Sequence, residues 1–409
     1  MTRKQHFIVI LILGALSTIG PLSIDMYLPS FPAIARDLKT TVSHIQLSLT
    51  SYFIGISVGQ LVYGPLLDRY GRKMPLYIGL GLYIAASLAC AFVQSADTLI
   101  VMRFVQAVGG CASLVASRAL VRDLFPVSET AKVFSMLMLV LAVSPMLAPT
   151  IGGYVTVALG WHFIFIILAV ITTLILIACF YYLPEGKKAD ASLSLRPKHI
   201  VQNFALVFKQ PKFYTFALSG SIASAVTYAY ISGSPVVFMS IYKVDEKMYG
   251  WIFAFIAVAI IGSSQMNRFL LKRYTSEQLV IAALIWQTII GIILIAGVYF
   301  DWYGLISIIV MIFLFMCGQG ITVPNASALS LAPFTKLAGN ASALLGALQL
   351  GIGAVASALV SILYDGTAMP MMLVLTFCAV ASIVVYYTGS KAIARHMKEP
   401  TITEKELAV

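Results

Sequence analysis

Twelve long apolar runs constrain the fold of this chain more than any other feature of its sequence. Each is close to the roughly 20 residues that an α-helix needs to cross about 30 Å of hydrocarbon. They lie at about 7–30, 44–66, 74–94, 98–120, 132–157, 161–183, 213–238, 248–270, 277–299, 302–325, 338–362 and 368–390. Because backbone polar groups find no water in a bilayer, helices are the natural spanning structure. The sequence therefore predicts an all-α membrane protein with twelve transmembrane helices.

The composition agrees with a bilayer as solvent. Hydrophobic residues make up 60% of the chain and charged residues 11%, whereas a soluble globular domain carries about 25% charged residues. Arg3 and Lys4 precede the first apolar run, as in a secretory signal peptide. That run is too long for a signal peptide and eleven further runs follow it, so we interpret it as an uncleaved first span.

Lysine and arginine are distributed unequally between the two sides that twelve spans would create. With the N-terminus inside, most of them fall in inner loops and at the termini. The outer loops hold four: Arg36, Lys39, Lys243 and Lys247. This asymmetry predicts that both termini are cytoplasmic. It also accounts for the net charge of +11, and because the basic residues are scattered over short loops, we expect no nucleic-acid partner.

A polar interval divides the predicted spans into two groups of six. We predict an N-terminal six-helix bundle at 1–183, a cytoplasmic linker at 184–212, a C-terminal six-helix bundle at 213–390 and a cytoplasmic tail at 391–409. A short sequence similarity between the two halves supports this division. LLDRYGR and LLKRYTS each follow the second span of their half.

The loop after the second span reads GPLLDRYGRK, at 64–73. We expect Gly64 and Gly71 to permit a close helix approach and a tight turn. Asp68 is the single acid of the loop. We expect it to face the N-terminus of the eleventh span, near Leu337, where the helix dipole favours a carboxylate.

The bases of the same loop complete a predicted conformational latch. Arg69, Arg72 and Lys73 are placed to pair with Asp123, at the inner end of the fourth span. Such pairs would hold the two halves in one conformation. The alternative is an ordinary basic inner loop, which the positive-inside rule alone would produce.

Two arginines lie in the fourth predicted span. An arginine in hydrocarbon costs about 2.5 kcal/mol or more. Arg103 should therefore face a cavity or a partner, and the alternative is that its side chain extends to the membrane interface. Arg118 lies nearer the inner end of the span, where we expect the side chain to reach that interface.

The fifth span ends in SPMLAPTIGGY, at 144–154. Pro145 and Pro149 remove backbone donors and are expected to bend the helix. Gly152 and Gly153 are expected to let a neighbouring helix approach closely. The alternative is generic packing of a proline-kinked helix.

Asp25 is the one acid that falls well inside a predicted span, in PLSIDMYLP at 21–29. A lone carboxylate in the membrane is a functional hypothesis by default. Pro29 and Pro32 could end this span early, in which case Asp25 would lie near its outer mouth.

These motifs resemble those of one transporter family. GPLLDRYGRK is similar to the signature loop of the major facilitator superfamily. VMRFVQAVGG resembles its R-x-x-Q-G motif, with Ala107 in place of the glycine, and SPMLAPTIGG resembles its antiporter motif, with Ala148 where a glycine is common. Together with IDMYLP they resemble the bicyclomycin/florfenicol-resistance (Bcr/CflA) branch of the drug:proton antiporters. The resemblance implies two pseudo-symmetric six-helix bundles around a central cavity.

The resemblance and the lone carboxylate predict proton-coupled efflux of small amphipathic drugs, phenicol- or bicyclomycin-like, across a bacterial inner membrane by alternating access. Asp25 is the predicted proton carrier, and Arg103, if close, would stabilise its charged form. An unperturbed aspartate titrates near pH ~3.9, so exchange near neutrality requires an environment that destabilises the carboxylate. The alternative function is proton-coupled import or export of a small metabolite on the same fold.

Polar and aromatic positions deep in the spans are candidates for substrate contact: Tyr52, Gln106, Tyr228, Asn325 and Gln349. Each is equally suited to an interhelical contact. The five cysteines lack metal-ligand spacing and no Walker loop is present. We therefore expect no metal, no cofactor besides the proton gradient as energy source, and no enzymatic activity. The expected partners are a drug, protons and the bilayer, and we expect a monomer.

Overall fold

The protein is helical throughout the part of the chain that the computed structural model describes, residues 3–187, 189–190, 197–334 and 337–396. Its α-helices are α1 Arg3–Asp25, α2 Phe31–Asp37, α3 Val42–Tyr70, α4 Lys73–Ala91, α5 Ala96–Leu124, α6 Val127–Leu159, α7 His162–Tyr182, α8 Pro197–Phe208, α9 Pro211–Pro235, α10 Glu246–Leu270, α11 Ser276–Tyr299, α12 Leu305–Cys317, α13 Gln319–Leu331, α14 Ala338–Ile362 and α15 Met369–His396. A 3₁₀ turn at Leu28–Ser30 and a π-helix at Val236–Ile241 complete the set.

Eleven helical segments are long and apolar enough to cross a membrane, counting only described residues. The one predicted span outside this group is the fifth, which corresponds to α6, and Val143–Leu159 of α6 forms a shorter apolar helix. The predicted all-α, membrane-spanning architecture is confirmed. Three spans are less regular than the sequence suggested. The first continues past α1 through the 3₁₀ turn into α2, the seventh ends in the π-helix, and the tenth is broken at Gly318.

The helical assembly has two ends, which we call the linker face and the opposite face. The linker face is the end that holds the turn at Gly71 and residues 183–187, and Gly71 takes a φ of +82° there, as expected for a tight turn. The opposite face holds the turns at 38–41 and 242–245. Because successive spans alternate in direction, α3, α5 and α10 all end at the linker face, whereas α14 begins there.

Packing follows two local centres. In the N-terminal half, α1–α7, helix α5 packs against α3 and α4, and α1 packs against α6. In the C-terminal half, α9–α15, helix α9 packs against α13, α14 and α15. The halves meet along two seams, α3 against α14 and α6 against α10. The exact division of the chain at 184–212 stays a prediction.

The interval predicted as a plain linker contains a helix, α8. Its Val207 is fully buried in a cluster with Phe213 and Leu345, so α8 rests on the C-terminal half. The sequence interpretation missed this helix because a 12-residue segment is too short to register as a span. Residues 188 and 191–196 of the linker, and the tail from 397 onward, lie outside the described residues.

Candidate functional site between the halves

Arg103 is fully buried, with 0% of its surface exposed. Its guanidinium carbon lies 4.1 Å from the ring centre of Tyr52 and 4.6 Å from that of Tyr27, a cation–π arrangement. Its Nη2 donates to the backbone carbonyl of Ser23 at 3.0 Å. Arg103 therefore does not extend to the membrane interface. Aromatic faces and a helix carbonyl hold its charge inside the N-terminal half.

Gln106 connects Arg103 to helix α4. Its Oε1 accepts from Arg103 Nη1 at 2.6 Å, and its Nε2 donates to Ser87 Oγ at 2.7 Å. Like Arg103, it has no exposed surface. Both ends of the amide are thus occupied by protein groups in this conformation. A substrate contact for Gln106 stays a prediction, and it would require these bonds to break.

Asp25 is the last residue of α1 and is 4% exposed. The Ser23 side chain bonds Tyr83 inside the N-terminal half, and two residues further on a helix has turned by about 200°. Asp25 accordingly lies within electrostatic range of Tyr230 and Tyr249 of the C-terminal half. Within the described chain no ion pair forms between Asp25 and Arg103, so the expected direct charge balance is absent from this conformation.

Tyr230 and Tyr249 are site residues that the sequence interpretation missed. Tyr230 is 2% exposed and stacks on Phe253 with ring centres 5.5 Å apart. The Tyr249 hydroxyl bonds Ser234 Oγ at 2.9 Å. They are two of 20 tyrosines, and nothing in their local pattern distinguishes them. Tyr230 lies well inside the predicted span at 213–238, but Tyr249 lies at the start of the span at 248–270, so position gave no common signal.

The glycine pair of the fifth span packs against backbone on two sides. A Cβ added at Gly152 would collide with the carbonyl of Met26, the residue after Asp25. A Cβ at Gly153 would lie 2.5 Å from the carbonyl oxygen of Glu246 in α10. Helix α6, which carries Pro145 and Pro149 in its interior, thus touches both the end of α1 and the other half. The segment links the predicted proton site to the inter-half seam.

The basic loop at the linker face forms ion pairs inside the N-terminal half. Arg72 donates from Nη1 to Asp68 and from Nε to Asp123, each at 2.7 Å. Burial lowers the pKa of Arg72, but the hydrogen bonds that Arg72 donates to the two carboxylates, and their negative charges, outweigh it, so the pKa is raised. Asp123 also accepts from the backbone N–H of Lys187 at 2.9 Å.

This geometry corrects the predicted latch in two respects. The pairs join the loop, α5 and the start of the linker at Gly186–Lys187, so they do not hold one half to the other. Gly64 also differs from expectation, because nothing lies within 4 Å of a Cβ placed there. Asp68 does face the N-terminus of α14, across a small cavity that both line. Arg69 lies over the ring of Tyr70 at 5.9 Å and Lys73 begins α4.

The remaining substrate candidates do not form one cluster. Tyr228 packs edge-on against Phe53 of the other half, with ring centres 4.9 Å apart. Asn325 donates to Asn267 Oδ1 at 2.8 Å, and Gln349 donates to Ser327 Oγ at 3.3 Å, both inside the C-terminal half. Tyr52 packs against the guanidinium of Arg103 inside the N-terminal half. Their substrate roles stay predictions.

A row of hydrogen bonds crosses the α3 seam, and sequence reasoning missed it. Gln46 Nε2 donates to the Ser232 carbonyl at 2.8 Å. Thr50 and Ser357 share a hydroxyl bond of 2.7 Å, and Ser57 donates to the Ala347 carbonyl at 2.8 Å. These small polar residues stand one to two turns apart on α3. They bind the halves together along the first half of α3.

Charged residues also join the halves at the opposite face. Arg36 Nη2 lies 4.0 Å from Glu246 Oε1, and the Lys247 ammonium lies 5.1 Å from the ring centre of Tyr154. Both contacts run between the N-terminal half and the first turn of α10. A cavity of about 450 Å³ lies beside them, lined in part by Arg36, Lys243 and Glu246.

Comparison with known proteins agrees with this architecture. The Major Facilitator Superfamily model matches residues 13–358. The chain is 32% identical over 385 residues to the bicyclomycin resistance protein homolog of Haemophilus influenzae, which covers 94% of this chain and 96% of the relative. It is 30% identical over 388 residues to a chloramphenicol resistance protein of Pseudomonas aeruginosa, covering 92% and 88%.

The fold also matches a solved transporter. The structure is similar to that of a bacterial homolog of the human lysosomal transporter Spinster, in an inward-facing and occupied conformation. The TM-score is 0.74 at 12% identity, over 96% of this chain and 98% of the other. These are membrane transporters of small molecules and not enzymes. The chain belongs to the Major Facilitator Superfamily, within its Bcr/CflA branch.

Proposed function

We propose that this transporter exports small amphipathic drugs, phenicol- or bicyclomycin-like, in exchange for protons across the bacterial inner membrane. The observation that carries the proposal is Asp25, a carboxyl 4% exposed that ends α1, where the following 3₁₀ turn packs against α6 and against α9 and α10 of the other half. The names of the two relatives supply the substrate class, because they refer to bicyclomycin and chloramphenicol resistance. The linker face is taken as cytoplasmic, following the positive-inside pattern.

The position of Asp25 suits alternating access. The 3₁₀ turn that follows Asp25 packs against both halves, namely α6 on one side and α9 and α10 on the other. When the halves rock, the tyrosines move relative to α1 and the carboxyl changes its access to water. Facing outward, Asp25 takes up a proton and the drug leaves; facing inward, it loses the proton and the drug binds. Each inward proton gains ~2.3 kcal/mol per 100 mV of membrane potential.

The charge of Arg103 is held away from Asp25 by the aromatic faces of Tyr27 and Tyr52. Its part in the cycle is to fix the last turn of α1 through the Ser23 carbonyl, and thereby the orientation of the carboxyl. Neutral drugs are proposed as substrates because the names of the relatives refer to bicyclomycin and chloramphenicol. We propose that the protein acts as a monomer, with no bound cofactor or metal.

The test measures proton release by purified protein in weakly buffered detergent near neutral pH. Chloramphenicol, bicyclomycin and tetraphenylphosphonium are added in turn to the wild type and to Asp25→Asn. Release from the wild type with either antibiotic, and its loss in Asp25→Asn, is the expected result. Asp97→Asn is the matched control, since the Asp97 side chain is 87% exposed at the opposite face; it should release protons normally.

Two outcomes overturn the proposal. Drug binding without proton release would remove Asp25 as the carrier. Release with the lipophilic cation alone would replace the substrate class. Transport direction is then measured in inverted membrane vesicles with an imposed pH gradient. Drug accumulation inside these vesicles supports export, whereas gradient-driven exit of solute would favour the importer alternative.

A further inference from the structure

A cavity of about 160 Å³ opens at the linker face between the two halves, whereas Asp25 ends α1 toward the opposite face. Helices α3 and α5 form its wall in the N-terminal half, and the first turn of α14 forms the wall in the C-terminal half. Phe204 of α8 closes one side. The cavity therefore lies where both halves and the linker helix meet.

Two arginines of α5, Arg118 and Arg122, project into this cavity. They stand one helical turn apart on the same face, where like charges repel. Both are solvent-exposed, and the described residues place no carboxylate within 4.0 Å of either one. The sequence interpretation expected Arg118 to reach the membrane interface, but its side chain lines this inter-half cavity instead.

The acids of the cavity do not neutralise these two arginines. Asp68 and Asp123 also line it, but both already accept hydrogen bonds from Arg72. Three arginines against two aspartates leave the cavity with a formal charge of one positive. The unmatched charge lies on Arg118 and Arg122.

The facing wall presents hydrogen-bond donors as well. Helix α14 begins at Ala338, and its N-cap residue Leu337 makes no side-chain capping bond. The first N–H groups of a helix lack intrahelical partners, and the helix dipole places partial positive charge there. Gly339, Asn340 and Ser342 of this turn line the cavity. An anion seated here would contact donors of both halves.

We infer that this cavity binds a single oxyanion of phosphate size, held by Arg118 and Arg122 on one side and by the first turn of α14 on the other. A volume of about 160 Å³ corresponds to about five water molecules at ~30 Å³ each, enough for a phosphate group and too small for a whole drug molecule. The group comes from free phosphate or from an anionic lipid headgroup. Because it bridges the halves, its binding stabilises the conformation in which they approach at the linker face.

Binding is measured on the full-length protein, independently of transport. Potassium phosphate is titrated at constant ionic strength, maintained with potassium chloride, and the apparent Kd is taken from the rise in Tm. We expect a saturable rise for the wild type in phosphatidylcholine nanodiscs. The Arg118→Gln/Arg122→Gln double variant should raise the Kd at least tenfold. The control is Arg268→Gln/Lys272→Gln, a second pair four residues apart at the same face, which should leave the Kd unchanged.

A second set of nanodiscs distinguishes the two sources. If phosphatidylglycerol raises the Tm and abolishes the response to phosphate, a lipid headgroup occupies the site; if phosphate still acts, a free anion does. The Arg118→Lys/Arg122→Lys variant keeps the charge and covers the case in which the glutamine variant fails to fold; we expect a partial loss of affinity, since lysine cannot bind bidentately. The inference is wrong if neither phosphate nor phosphatidylglycerol shifts the Tm, or if the arginine variants respond like the wild type.

Discussion

Helix α5 passes through two regions of opposite character, and each contains arginine. Near the opposite face Arg103 has no exposed surface and is surrounded by Tyr27, Tyr52, Gln106 and the Ser23 carbonyl. Near the linker face Arg118 is exposed in a cavity and has no ion-pair partner among the described residues. The same residue type is thus a structural element in one region and an available ligand-binding group in the other.

The glycines show the same contrast. In the packed region around Gly152 there is no room for a Cβ. In the open region, at the linker face, a Cβ placed at Gly64 would have no neighbour within 4 Å. Gly152 and Gly64 both belong to family motifs, so membership of a motif does not define what a residue does in a given conformation. The packing around each residue does, and it is tight at Gly152 and loose at Gly64.

The sharpest test of the contrast removes each arginine in turn. Arg103→Met leaves buried polar partners without their charged donor, and hydrogen bonds to charged groups are worth about 1.5–3 kcal/mol each. We expect a loss of about 3 kcal/mol in the free energy of unfolding, measured by denaturant titration in detergent. Arg118→Met should cost less than about 0.5 kcal/mol. Equal losses would mean that the two regions do not differ.

The glycine comparison is expected to give the next largest effect. Gly152→Ala forces a methyl group against the Met26 carbonyl, and overpacking of this kind costs about 1–3 kcal/mol. Gly64→Ala lies in the interior of α3 with free space around it, so it should gain about 0.5–1 kcal/mol. The measurement is the unfolding midpoint of both variants under identical conditions. Opposite signs are expected, and a loss in both would show that Gly64 is packed as well.

Arg72 is the exception within the open region, because its side chain is only 8% exposed and pairs with two aspartates. Arg72→Gln should lower the free energy of unfolding by about 2 kcal/mol, since Asp68 and Asp123 lose a charged donor. Arg122→Gln, at the same face and without an ion pair, serves as the control and should change it by less than about 0.5 kcal/mol. If both variants change the free energy of unfolding equally, the ion pairs of Arg72 add nothing to stability at the linker face.

The smallest effect is expected at the seam between the halves. Thr50→Val keeps the shape of the side chain but removes the hydroxyl bond to Ser357, and hydrogen bonds between membrane helices average about 0.6 kcal/mol. The control is Thr288→Val, whose hydroxyl bonds a carbonyl of its own helix. Thermal unfolding should show a larger decrease for Thr50→Val. The reverse order would indicate that the seam contributes nothing to stability.

The sequence was sufficient for the architecture because hydropathy reports the length and polarity of each span directly. It also located Asp25 and Arg103, since ionisable residues in an apolar run are conspicuous. It could not tell which way a side chain points around the helix axis. Asp25 and Ser23 are two residues apart, yet they face different halves. Asp25 and Arg103 form no ion pair among the described residues, so a charge balance between them stays a prediction for other conformations.

Long-range packing accounts for the other differences. The break of the tenth span at Gly318 and the burial of Val207 in α8 depend on neighbours far away in the sequence. Tyr230 and Tyr249 gain significance only because α9 and α10 lie beside the end of α1. Local patterns carry no information about such contacts, so the contribution of the second half to the site was out of reach.

The interval 184–212 is attached to a different half at each end, so it acts as a tether of defined length. Its start is fixed to the N-terminal half, where Asp123 binds the backbone of Lys187, and its helix α8 rests on the C-terminal half. Ten residue steps separate Lys187 from Pro197, and a fully extended chain of that length reaches about 35 Å. While both attachments hold, the distance between Lys187 and Pro197 stays within that reach, and the connection limits how far the halves separate at this face.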